Sequence, residues 1–371
     1  MSDNNNLPQK KDNAGLALQK TGSLLSITDK ILANRTQKTL VLNDDAWLDE
    51  LIAWADENDI SEEQFPRNKQ KILTITVLDL SYNELIKIPE SIGKLANLTY
   101  LDLGDNKLTE IPKSIGNLTN LTGLDLCRNH LSKFPESIGK LINLTELHLH
   151  ENKLFELPEF IGNLINLTKL NLAFNYLSKL PESIGKLNNL TTLYLAVNRI
   201  TELPESIGEL INLTDLALDN PTKIPDSIGS LTNLTKLYLG GRLPKSMENL
   251  TNLVELTLLK AELTELPEFI GNLTNLTSLN LSENRLASLP EFIGNLTSLT
   301  ILDLSKNHLI SLPELIGNLT NLTTLILNNN QIINLPTSLE KLTKLKYINL
   351  RRNPIKSLPP ELSHLRDITK F

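Results

Sequence analysis

From residue 75 onward the apolar and polar positions follow one recurring arrangement: Leu-x-x-Leu-x-Leu-x-x-Asn-x-Leu-x-x-Leu-Pro-x-x-Ile-Gly-x-Leu-x-Asn. Residues 98–120 carry a clean copy, with Leu101, Leu103, Asn106, Leu108, Ile111, Pro112, Ile115, Gly116 and Leu118 in place. The spacing Leu101-x-Leu103 has period two, which predicts a short strand with one buried and one exposed face. Asn106 follows where the chain must turn off that strand. Its amide both donates and accepts, so it is suited to satisfy backbone groups in its own coil and the next. The register assigns the same role to Asn83, Asn129, Asn152, Asn175, Asn198, Asn284, Asn307, Asn330 and Asn353. Pro112 bars a second ladder strand, and Ile115-Gly116-x-Leu118 predicts an irregular or 3₁₀ turn back to the start. Thirteen of the 18 prolines occupy this one position, so the turn recurs as faithfully as the strand.

On these residues the chain resembles the leucine-rich-repeat family, in the 23-residue form of intracellular eukaryotic and many bacterial members. The resemblance covers residues 75–371, about four-fifths of the chain, in about thirteen copies. It implies an α/β solenoid, a curved horseshoe with a parallel sheet on its concave side and short 3₁₀ or irregular turns on its convex side. A length of 371 residues would otherwise suggest two or three domains, but a solenoid grows by adding units.

Terminal coils expose their core unless capped. Residues 40–70 read as a helical N-terminal cap, residues 71–371 as the solenoid with its C-terminal cap, and residues 1–39 as disordered or loosely helical. Within the cap, residues 44–58 predict an amphipathic helix with Trp47, Leu48, Leu51, Ile52, Trp54 and Ala55 on its apolar face. Ser61-Glu62-Glu63-Gln64 has the spacing of a capping box and predicts a short second helical turn ending near Pro66. Ser363–Asp367 reads as a polar finish that closes the last coil, with no further domain expected.

The asparagine register then breaks. After Asn198 it lands on Pro221, Arg242 and Ala261 before returning at Asn284, in steps of 23, 21, 19 and 23 residues. Two consecutive turns are therefore shortened, by two and four residues, and three coils lack the ladder amide. Gly240-Gly241 lies in the tightest turn, where positive φ is expected. Drift in a tolerant array and a kink that shapes a binding surface both fit.

Charge and cysteine usage narrow the function. The formal net charge is −7, which argues against a nucleic-acid partner. Cys127 is the only cysteine and the first residues are polar without an apolar core, so neither a disulfide framework nor a Sec-type signal is expected. No stretch reaches the roughly 18 apolar residues of a membrane span. A cytoplasmic location follows as the expectation. The Asn-Leu-Thr triplets match a glycosylation pattern but arise from the repeat.

In each repeat the third, fifth, seventh and eighth residues of Leu-x-x-Leu-x-Leu-x-x-Asn face the concave side or its rim. No requirement of the fold is evident there, so function is sought at these positions. Asp79, Asp102, Asp105, Asp125, Glu146 and Glu151 fall there early in the array, against Arg128. Lys306, Arg351 and Arg352 fall there late, against Glu283 and Asp303. Between them lie His148, His150, Phe174, Tyr194, Val197 and Tyr238, with Tyr176 just past its asparagine. Aromatics are only 4% of the chain, so this cluster marks candidate partner-binding residues. Glu146, His148 and His150 share one strand, and Asp125 and Cys127 hold equivalent places about 4.8 Å away on the preceding coil. Cys127, His148 and His150 are a weak zinc candidate beside the plainer reading of an ion pair.

No nucleophile–base pair, phosphate loop or buried acid pair appears, so no enzyme and no cofactor are expected. The sequence reads as a monomeric interaction module or scaffold that binds a partner protein on its concave face. A bacterial effector, exported into a host cell without a Sec signal and binding a host protein, is the alternative.

Overall fold

The computed structural model describes residues 45–219 and 223–371. The expectations for residues 1–44, and the register position of Pro221, lie outside the described residues. Each repeat contributes one three-residue strand, from β1 (Val77–Asp79) through Tyr100–Asp102 to β13 (Tyr347–Asn349). All strands pair in parallel with their sequence neighbours in a single fourteen-stranded sheet. Leucines hold the register: Leu78, Leu101 and Leu124 stand side by side across the first three strands. The middle residue of each of these strands is buried, and Leu101 and Leu103 are both fully so. A one-residue slip would turn this leucine column into solvent.

Pro112 adopts an extended conformation (φ −62°, ψ 147°) and hands the chain to the 3₁₀ helix Lys113–Asn117. The following coils do the same. A Cβ at Gly116 would lie 2.4 Å from the carbonyl oxygen of Ser137, so a larger residue there would require the neighbouring turn to move. Together the buried leucines and isoleucines form one continuous core from Leu48 to Leu365. Each contributes about 1.5–3 kcal/mol by leaving water.

The asparagine ladder forms, but it points backwards. Asn106 Oδ1 accepts from the amides of Asn83 (3.1 Å) and Leu85 (2.9 Å), and its Nδ2 donates to the carbonyls of Leu80 (2.9 Å) and Leu103 (3.0 Å). Each ladder residue thus ties its own coil to the preceding one, not the next. Asn83 has no coil of this kind before it, and its Nδ2 donates only to Ser81 within its own coil. Two further ladders run along the opposite side of the strands. Asn120 Nδ2 donates to the Ala96 carbonyl (2.8 Å), and Thr122 Oγ1 to that of Thr99 (3.0 Å). These bonds recur from coil to coil and explain the Asn-Leu-Thr triplets as structural.

The shortened coils lose the first ladder and, where Val254 replaces the threonine, one hydroxyl bond of the threonine ladder, but the asparagine ladder on the strand side persists. Asn233 still donates to Ile211, Asn252 to Thr232 and Thr235 to Thr214. The strand side therefore stays stitched, and the backbone defect is confined to the turn that follows the strand. There the Asp219 carboxylate accepts from the Val197 amide, a bond that a backbone carbonyl makes in the preceding coil. Gly241 takes the expected positive φ, 82°.

At the N-terminal end, α1 (Ala46–Glu57) lies against the first coil, with the Trp54 indole donating to the Lys87 carbonyl at 3.3 Å. Leu48, Leu51 and Phe65 are fully buried, whereas Trp47 and Trp54 pack only partly against the core. The centre of the lid is therefore aliphatic and Phe65, and the tryptophans form its rim. The Gln64 amide donates to Ser61 Oγ (3.3 Å), but in place of the reciprocal bond to the Ser61 amide the Ser61 hydroxyl donates to Gln64 Oε1 (3.5 Å), and the segment closes as a turn. The short α2 (Lys69–Ile72) begins later, with the Asn68 side chain accepting from the Lys71 amide. Arg67 binds the Asp56 carboxylate (2.7 Å) and the Ile60 and Phe65 carbonyls, fastening the segment between the helices. At the other end Ser363–Asp367 is part of a 3₁₀ helix, Pro360–Ile368, and the chain finishes in β14 (Thr369–Lys370), paired with β13. The last coil is closed by a fourteenth strand as well as by a polar turn.

Candidate partner-binding face

The third and fifth residues of each repeat flank the buried leucine of its strand and project from the sheet. At the fifth position an aspartate or asparagine has a local task. Asp79, Asp102 and Asp125 each accept from the amide two residues on, at Ser81, Gly104 and Cys127, over 2.8–2.9 Å. Asn171, Asn280 and Asp303 repeat the bond. Acidic residues at the start of the array are thus partly there for the turn. His148, Tyr194 and Tyr238 occupy the same register position on their coils and give that bond up. No folding advantage accounts for them.

The eighth position carries a constraint that the sequence reading missed. Its backbone is left-handed wherever that position is described, including Tyr82, Asp105, Arg128, Glu151, Phe174, Val197, Lys260, Glu283, Lys306, Asn329 and Arg352, these with φ between 49° and 60°. Glycine and asparagine suit that conformation; a bulky or β-branched residue opposes it by roughly 1–2 kcal/mol. Phe174 (φ 55°) and Val197 (φ 57°) sit there side by side on adjacent coils and are about half exposed, at 53% and 48%. They carry backbone strain without the compensation of full burial. With Tyr194, 38% exposed, they form the apolar centre of the face.

Charges around that centre are mutually engaged. Arg128 bridges Glu151 (3.0 Å) and Asp105 (3.5 Å), so these three candidate contacts are already paired within the chain. Glu146 binds Lys169 at 2.7 Å, which holds its carboxyl below the usual range. Asp102 has no such partner. Burial, and then repulsion from Asp125, Asp79 and Asp105, raises its carboxyl above the ordinary value. Towards the other end Lys306 and Lys260 flank Glu283, lowering it.

Two candidates are displaced. Cys127 is buried, and burial followed by a hydrogen bond to Asp125 pushes its thiol up to about 12. His150 is held below its usual pKa by burial and lies 3.3 Å from the Asn171 amide. The His148 and His150 rings meet edge to face at 6.4 Å, and no group of three His, Cys or carboxylate side chains among the described residues converges on a metal position. The seventh position, where Cys127 lies, is seldom open surface; Gly104 and Ser305 are buried there too, and Arg351 is exposed. Tyr176 is not on the concave face. It lies on the edge beyond Asn175, stacked on Phe155 (5.5 Å) with the Arg199 guanidinium 4.8 Å from its ring.

Sequence reasoning overlooked Val77 and Tyr82 at one end, 62% and 73% exposed, and Ile301 and Tyr347 at the other, 42% and 36%. Each occupies a third or eighth position, so the repeat register itself was the signal. No described helix is long and apolar enough to cross a membrane.

A family model described as a leucine-rich repeat region matches residues 69–175, 158–269 and 243–330, and a second, of two leucine-rich repeat copies, matches residues 320–364. Among solved structures, a leucine-rich-repeat protein of Leptospira interrogans is 32% identical, covering 81% of this chain and 97% of that one, with a TM-score of 0.57. An internalin of Listeria monocytogenes is 26% identical over 81% of this chain and 88% of its own, with a TM-score of 0.72. The plant peptide hormone receptor RGFR1, in complex with RGF2, is 33% identical with a TM-score of 0.62; the match covers 80% of this chain and 55% of the receptor chain. Nothing among curated proteins matches significantly.

Proposed function

The chain belongs to the leucine-rich-repeat family, and from that premise we propose that it is a protein-interaction module whose partner docks on the concave strand face across coils four to eight. One observation carries this reading. Phe174 and Val197 keep a left-handed backbone that disfavours them, and they leave about half of each side chain in solvent. A fold under no demand but its own stability would place asparagine or glycine there. Half-exposed aromatic and aliphatic side chains grouped with Tyr194 and Tyr238 are the material of binding hot spots. The plant receptor neighbour, solved in complex with RGF2, supports the same use of the fold.

Leucine-rich-repeat folds are typically non-enzymatic, and binding without chemistry fits the paired, unconverged ionisable groups of this face. The partner has an apolar centre to meet Phe174, Val197 and Tyr194, and a basic margin to meet Asp79, Asp102 and Asp125. In this reading the protein works as a cytoplasmic monomer. Delivery into a host cell is a narrower form of the reading, favoured by the two bacterial neighbours, and fractionation after host contact tests it.

The function is tested by affinity capture with the intact chain beside a variant carrying Phe174→Ala, Tyr194→Ala and Tyr238→Ala. A partner retained by the first and lost from the folded second supports the concave site. Equal capture by both contradicts it.

A further inference from the structure

The shortened eighth coil opens a second site, away from the concave floor. Between Arg242 and Pro244 the chain omits the four residues that follow the ladder position in an unshortened coil. Their absence leaves a notch of about 710 Å³ on the edge of the solenoid, whose lining includes Gly241, Arg242, Leu243, Ala261, Glu262 and Leu263. A volume of this size accommodates several residues of a peptide.

The notch presents unused hydrogen-bond donors. In other coils the amide after the ladder position donates to the preceding coil, as His130 does to Leu108 (2.8 Å) and Arg285 to Leu263 (2.8 Å). Glu262 holds that position in coil nine, but the residue that should accept from it is among the four missing. Its amide has no partner among the described residues. The amide of Gly241, at the eighth position, likewise lacks the bond that Arg128 makes to His150 and Lys306 to Asn328. The Glu262 donor therefore faces an opening where a stretch of chain would normally run, while the Gly241 donor lies on the rim of the same notch, its usual acceptor, the Leu259 carbonyl of coil nine, being present but not bonded to it. Acceptor oxygens of a docked segment would take the place of water at these donors and satisfy them from protein.

The side chains add direction. Arg242 stands where the ladder asparagine belongs, is exposed, and makes no ion pair among the described residues. Lys260 is held by Glu283, and Glu262 by Arg285, so Arg242 is the available cation. Leu243 and Leu263 pack against the core but stay partly open, giving the notch an apolar floor beside fully covered Ala261. Glu265 also lines it, so a uniformly acidic segment would be repelled.

We propose that this notch is a docking site for an extended segment of a partner protein that completes coil eight from outside. Its carbonyl oxygens accept from the Gly241 and Glu262 amides, one apolar side chain covers Leu243 and Leu263, and one carboxylate meets Arg242. This is recognition by completion of an interrupted backbone array, in which main-chain bonds hold the segment and two side chains select it.

The test uses a capped hexapeptide copying residues 105–110, Asp-Asn-Lys-Leu-Thr-Glu, whose last four residues are those an unshortened coil places there. Binding to the full chain is followed by calorimetry and by exchange at the Gly241 and Glu262 amides. Saturable binding is expected, with both amides slowed. Arg242→Ala should weaken it roughly tenfold, the worth of one charge-assisted contact. A variant with Lys-Leu-Thr-Glu inserted after Arg242 refills the notch from within and should bind no peptide while remaining folded. Unchanged exchange at the peptide's solubility limit, or undiminished binding to the insertion variant, would overturn the proposal. Phe174→Ala should leave peptide binding intact, which separates this site from the concave one.

Discussion

Removing one ladder asparagine should reveal how the stack is held. Asn129 Oδ1 accepts from the buried Leu108 amide at 2.9 Å, and its Nδ2 donates to the carbonyls of Leu103, Leu126 and Cys127. In Asn129→Ala those three carbonyls keep other donors: Asn106 for Leu103, Asn152 for Leu126 and the Asp105 amide for Cys127. The Leu108 amide keeps none. One orphaned buried donor costs about 1–3 kcal/mol. With the packing lost around the missing amide, the total comes to about 2–4 kcal/mol. Asn83→Ala is the internal control. Its side chain donates only to Ser81, and no backbone amide depends on it, so the expected cost is under about 1 kcal/mol. Equilibrium urea unfolding followed by circular dichroism gives both values, and hydrogen exchange at Leu108 locates the damage even where an array unfolds in parts. Equal costs for the two substitutions, or an unchanged Leu108 amide, would refute the ladder account.

Three further outcomes follow from the geometry. Asp102→Asn keeps the acceptor that closes the turn at Gly104 but removes a carboxylate raised by burial and repulsion. The wild-type ionised form is thus the unfavourable one, and stability is regained as pH falls through the raised folded value. The variant should melt higher at neutral pH, and the gain should shrink towards acid; melting curves of both proteins across pH decide it, a constant difference being the contrary result. Val197→Asn relieves roughly 1–2 kcal/mol of left-handed strain and loses under about 1 kcal/mol of half-exposed burial, so it should unfold no earlier than the parent, yet bind partner more weakly. Reduced stability with full binding would reverse that reasoning. Native-state hydrogen exchange should be faster at Gly241 and Glu262 than at Arg128 and Arg285, while Thr235 and Lys236, both bonded to the Thr214 carbonyl, stay as protected as Thr122 and Gly123. Uniform protection on both sides of the coils would contradict a defect confined to the turn.

The repeat made most of the architecture readable, because one buried leucine per strand and one proline per turn leave the chain few other ways to coil. Other features depend on neighbours in space. That Asn106 reaches back to Leu80 depends on how adjacent coils stack in space, which the spacing of asparagines does not encode. The continuity of the Asn120 and Thr122 ladders was hidden because those residues resemble a modification motif. Arg67 gave no periodic signal, since its three partners come together only after the helix and the turn have formed. On the candidate face the spacing placed His148, Tyr194 and Tyr238 correctly at strand positions. It gave no sign of the turn-closing bonds that Asp102 and Asp125 also make, nor of the burial of Cys127 at the end of its strand. The left-handed eighth position was present in the sequence as a column, but its occupants are too varied to declare a backbone constraint.

The central claim is that strained, half-exposed side chains on the concave face are there to bind. Once a partner is captured, its dissociation constant should be measured by calorimetry for Phe174→Ala and Tyr194→Ala beside the convex substitutions Glu136→Ala and Glu182→Ala, all confirmed folded. The account predicts a loss of at least about 2 kcal/mol, near thirtyfold, for each concave change and no change for the convex pair. Undiminished affinity in both concave variants, with binding abolished by the convex ones, would contradict it.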